Sequence, residues 1–70
     1  MDFVEKARIR LEHWITHNKH HQEEYELFIA QLEDAGKKES SEQLREVLRL
    51  TAKGTDCLRK ALEALELKSG

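Results

Sequence analysis

The chain has 70 residues, 37% of them charged and 6% aromatic, with one cysteine, no proline and a formal net charge of −2. A chain this short forms one domain, residues 1–70, with a thin core, because so small a fold hides only about 60% of the surface its unfolded form exposes. The lone Cys57 excludes an intrachain disulfide and suits a reducing compartment, and the near-balanced charge lacks the clustered Lys and Arg that binding to nucleic-acid phosphates needs.

Asp2 followed by Glu5 has the form of a capping box, which satisfies orphan amides at a helix start. A first helix is expected over about residues 3–35. Val4, Ala7, Leu11, Trp14, Asn18, His21, Tyr25, Phe28, Leu32 and Ala35 recur at steps of three and four, one stripe of a helix. Gly36 follows directly, where a left-handed C-cap suits a residue without Cβ.

Residues 36–39 are expected to form the loop, and Ser40 with Gln43 offers a second capping box. The second helix is expected over about residues 40–67, with Leu44, Leu48, Thr51, Thr55, Leu58, Leu62 and Leu65 as its stripe. Lys68, Ser69 and Gly70 read as a frayed end. Gly54 either breaks this helix or serves close packing inside it. The leucine register runs through it without a phase slip, which favours continuity.

A loop this short makes the helices antiparallel neighbours, so the fold class is all-α, a helical hairpin. The expected pairs are Leu44 with Leu32, Leu48 with Phe28, Thr51 with Tyr25, Thr55 with His21 and Leu62 with Trp14. Ile15 and Ile29 widen the first stripe, and Leu50, Cys57 and Ala52 widen the second beyond what one neighbour covers. Homodimerisation of two hairpins into a four-helix bundle is the economical way to bury the excess. No stretch approaches the ~20 apolar residues of a membrane span, and the charged start lacks a signal-peptide run, so a cytoplasmic location is expected.

The unusual feature is the window His13-Trp14-Ile15-Thr16-His17-Asn18-Lys19-His20-His21, which holds all four histidines, followed by Glu23 and Glu24. His13, His17, His20 and Glu24 form a ladder on one helix face, and His17 with His21 makes a second i, i+4 pair. Two imidazoles four apart on a helix can share one metal ion, as in H-E-x-x-H zinc sites. The candidate ligands are therefore His17 as the centre, His13 and either His20 or His21, with Glu24 as an auxiliary oxygen and nickel or zinc as the ion. Imidazole binds metal only when neutral, so loading in a metal titration should fall as pH drops through about 6.5. The competing reading is a solvated polar face, with His21 hydrogen-bonded to Thr55 or to the neighbours of Asn18 across the seam.

No glutamate stands three residues before any histidine, so the di-iron Glu-x-x-His motif is absent. No nucleophile, base and orienting group converge, and no enzymatic activity is expected. The His13-Trp14-x-x-His17-Asn18 string, with Glu24-Tyr25 and Ala35-Gly36 before a leucine-rich helix, resembles a family of uncharacterised short helical domains. These occur as stand-alone proteins of anaerobic prokaryotes or as tails of small nickel-binding accessory proteins of the CooT type, so the resemblance implies a helical hairpin and a nickel context. Three functions remain open, one of them a regulatory subunit encoded beside an enzyme. Another is a non-enzymatic interaction and oligomerisation module, a homodimer presenting its histidine face to a protein partner. The third is a histidine-based metal-binding accessory or sensor protein.

Overall fold

The computed structural model describes residues 2–66, which form α1 (Phe3–Asp34) and α2 (Lys38–Glu66) packed as an antiparallel hairpin. Local chemistry fixes both ends of α1. Asp2 is the N-cap, and its carboxylate accepts the Glu5 amide at 2.9 Å. At the far end the Lys37 amide bonds the Leu32 carbonyl at 2.8 Å and the Gly36 amide bonds that of Glu33 at 3.0 Å. This is a Schellman motif, and Gly36 takes the φ of +74° that it requires.

α2 begins at Lys38, two residues before the expected start, so Ser40 and Gln43 do not form its cap. The Ser41 amide already bonds the Lys37 carbonyl at 3.0 Å, and the buried Ser41 hydroxyl donates back to the Lys38 carbonyl at 2.8 Å. The helix runs through Gly54 without a break. The close-packing reading of that glycine is not realised within the chain, since an added Cβ would meet nothing within 4 Å. Gly54→Ala should therefore raise the stability of the isolated hairpin by about 0.5–1 kcal/mol in denaturant unfolding, the helix-propensity difference alone. The expected end of the second helix at Leu67, and the frayed residues after it, lie outside the described residues.

The seam on α2 is the expected one: Leu44, Leu48, Thr51, Leu58, Leu62 and Leu65 are half-buried, and Thr55 is buried. On α1 the seam is rotated. Leu11, Ile15, Asn18, Gln22, Tyr25, Ile29 and Leu32 run along it, and Ile29 is the one buried apolar side chain among the described residues, at 4% exposure. Trp14 and Phe28, expected opposite Leu62 and Leu48, stay 45% and 53% exposed in the single hairpin. The Thr55 hydroxyl accordingly lies 2.9 Å from both the Gln22 carboxamide oxygen and the Thr51 carbonyl, which share its single proton. Leu62 lines a groove with Ile15, and Val47 lines one with Phe28. Leu44 and Leu32 line one groove, and Thr51 and Tyr25 another.

The rotation has a steric cause. α1 carries two neighbouring apolar lines, a β-branched one (Ile15, Ile29) and a bulky aromatic one (Trp14, Phe28), and one helix covers only one of them. On α2 the buried polar residues are the small Ser41 and Thr55, and Thr55 hydrogen-bonds Gln22, which stands seven residues from each isoleucine on the same line. Leu58→Ala should cost about 2 kcal/mol in unfolding free energy, near the low end for such truncations because Leu58 is half-buried rather than enclosed.

Surface ion pairs decorate the other sides. Arg45 meets Glu33 across the helices at 2.5 Å and Arg8 meets Glu12 at 3.6 Å. The Arg49 guanidinium hydrogen-bonds Glu46, and with the charge attraction it holds that carboxyl below its ordinary value. Any stability from that pair is present above the ordinary carboxylate range and is lost as pH falls through the lowered value. The pair is on the surface, so salt screens it.

Candidate functional site

The uninterrupted α-helix of α1 sets the spacing of the histidine window, and the rotated seam sets its exposure. His13, His17 and His20 are exposed, whereas His21 is half-buried at the edge of the seam. Side chains four apart stack along the helix. The His13 and His17 rings lie 5.9 Å apart edge to face, those of His17 and His21 lie 4.5 Å apart and stacked, and Tyr25 follows His21 at 6.0 Å. His20 takes no part in this column.

His21 Nδ1 lies 3.1 Å from Glu24 Oε1. With Nδ1 donating to the carboxylate, Nε2 keeps its lone pair free to accept a proton or bind a metal ion. Glu24 thus buttresses a histidine rather than joining the ring column. The expected His21–Thr55 hydrogen bond is replaced by this one and by the Thr55–Gln22 bond. Among the described residues no group of three or more His, Cys, Asp or Glu side chains is placed to hold a metal ion within one chain.

His21 also belongs to a surface that the sequence alone did not delineate. It lines an open groove with Asn18 and Tyr25 of α1 and with Val47, Leu50, Thr51 and Gly54 of α2. A second groove continues from Val47 past Leu44 to Leu32 and Phe28. The two grooves share Val47, so both helices offer their uncovered apolar lines on the same side of the hairpin. Trp14 stands on the line of His21 and Phe28, seven residues before His21, and Arg10 lies over its ring at 5.9 Å. Cys57 is a free, exposed thiol seven residues beyond Leu50 on the corresponding line of α2. The reverse side is polar, and its groove is lined by Glu12, Thr16, Arg59 and Glu63 around Ile15 and Leu62. The signal for the apolar side was present in the sequence as the seven-residue spacings Trp14–His21–Phe28 and Val47–Gly54–Ala61.

Fold and site together define an all-α helical hairpin domain with a histidine on an open apolar side. Residues 7–65 match the model of a family described as a domain of unknown function (DUF8180), and the chain belongs to that family. No curated protein and no solved structure matches the chain. The family match carries the uncharacterised-domain part of the resemblance and not its nickel context. No helix among the described residues is long and apolar enough to cross a membrane.

Proposed function

We propose that the chain is a non-enzymatic helical module that homodimerises through its shared apolar side into a four-helix bundle, leaving its polar edges for a protein partner. The observation that carries this reading is the surplus of exposed area. A compact protein of this mass exposes about 4,500 Å², whereas the hairpin exposes 5672 Å². The surplus of about 1,100 Å² is of the order one partner loses in a standard interface, about 800 Å². Dimensions say the same: the hairpin measures 51 × 20 × 11 Å, one helix thick, and its radius of gyration is 16.0 Å, against about 11 Å for a compact chain of this length.

A second copy fits this surface better than an unrelated helix, because one side of the hairpin carries both bulky residues (Trp14, Phe28, Leu50) and small ones (Gly54, Ala61) to receive them. Gly54 supports the reading from another direction. A mid-helix glycine costs about 1 kcal/mol, and nothing in the hairpin's own packing requires it. The test is thermal unfolding over a wide range of protein concentration. The midpoint should rise with concentration, as it does when unfolding is coupled to dissociation. A midpoint independent of concentration would remove the proposal.

A second reading, metal binding by the histidine window with nickel or zinc as the ion, is favoured by the orientation of His21. Its hydrogen bond to Glu24 is the carboxylate–histidine arrangement that steadies metal-ligating imidazoles. The accessory or sensor role would then follow from metal-dependent assembly.

A further inference from the structure

We infer that the metal ligands are completed by a second copy of the chain, so that His17 and His21 of two hairpins bind one zinc-type divalent ion between them. This rests on the pairing proposed above. A closed zinc site takes four ligands in a tetrahedron, and one chain brings no three candidate ligands together. It does bring two, since the His17 and His21 rings are neighbours at 4.5 Å on consecutive turns, where a rotamer change turns a stack into a chelate.

Position supplies the second pair. The midpoint of α1 (Phe3–Asp34) falls between Asn18 and Lys19, inside the turn that runs from His17 to His21. A twofold axis crossing the paired hairpins at mid-length lays α1 antiparallel on its own copy. Each His17–His21 turn then faces the same turn of the other chain, four imidazoles about one axis. The neighbouring wall of α2 is Val47, Leu50, Thr51 and Gly54. It offers no charge to compete for the ion, and the space beside Gly54 is open. Glu24 holds Nδ1 of His21 and leaves Nε2 for the metal. His20 is outside the ring column and His13 is at its outer end, so neither is a ligand here. Four neutral imidazole nitrogens suit zinc, which imposes no d-electron geometry of its own.

Zn(II) added to the metal-free protein against a competing chelator, with bound metal counted after dialysis, decides the matter. The expected loading is about one ion per two chains. Each of His17→Ala and His21→Ala removes two of the four ligands from the dimer and should abolish it, and the exposed His17 can be truncated without touching the seam. Glu24→Gln, a change at a positioning residue, should weaken binding about tenfold while sedimentation stays unchanged, and His20→Ala should bind as the parent does. One ion per chain, or full loading of His21→Ala, would overturn the inference. Sedimentation of the metal-free protein separates it from the pairing itself. A metal-free dimer that binds one ion per chain refutes only the shared site. A metal-free monomer that pairs on zinc at one ion per two chains supports the shared site and refutes pairing by the apolar side alone.

Discussion

Truncating Ile29 to alanine should lower the unfolding free energy by about 2–5 kcal/mol, as loss of an enclosed branched side chain does in other cores. Ile29 is the one apolar residue among those described that is closed off from solvent, at 4% exposure. It lies in the seam between Gln22, tied to Thr55, and Leu32, beside Leu44. A small domain has roughly 0.05–0.15 kcal/mol of stability per residue to lose. The change should thus remove a large share of the total, visible as a shifted midpoint in urea with little change in slope. The same truncation at Leu27, 70% exposed on the outer side of α1, should move the midpoint hardly at all. If the two behave alike, the seam on α1 is misplaced.

Leu50→Glu should abolish the proposed pairing, weakening association about 100-fold or more, while leaving the hairpin's helicity intact. Leu50 is 53% exposed in the single hairpin, and a surface substitution there costs within about 0.5 kcal/mol. In the single hairpin Leu50 lines the groove with His21 and Gly54, which the proposed pairing would cover. An unpartnered carboxylate buried there costs several kcal/mol, and each 1.4 kcal/mol is a factor of about 10 in affinity. Leu27→Glu is the control, because it adds the same charge to a residue outside that groove. Analytical gel filtration at matched concentrations reads both, and equal elution of the two variants would contradict the assigned interface.

Much of the hairpin is legible in the sequence because local chemistry decides it. Asp2 caps α1, Gly36 ends it in a Schellman turn, and the unbroken leucine register carries α2 through Gly54. The start of α2 is not legible, because Ser41, one residue beyond Ser40, uses its hydroxyl inside the first turn, bonded back to Lys38. The rotation of α1 was not legible for a different reason. Ile15 and Ile29 on one side, and Trp14 and Phe28 on the other, make equally regular stripes with the shared line of Leu11, Asn18, Tyr25 and Leu32. Periodicity has no preference between them. The choice is made in three dimensions, by small residues on α2 and a hydrogen bond between Gln22 and Thr55.

The site divides the same way. The i, i+4 column His13–His17–His21–Tyr25 and the i, i+3 pair His21–Glu24 follow from helical spacing alone. That His21 stands on an apolar side built by both helices depends on the rotation, which the seven-residue spacings alone do not decide.

Sedimentation equilibrium of the metal-free protein at micromolar concentration tests the central claim most directly. Pairing through the apolar side predicts a folded species of twice the 8.2 kDa chain mass, falling toward the monomer in Leu50→Glu. A stable, fully helical species of 8.2 kDa at that concentration would contradict it.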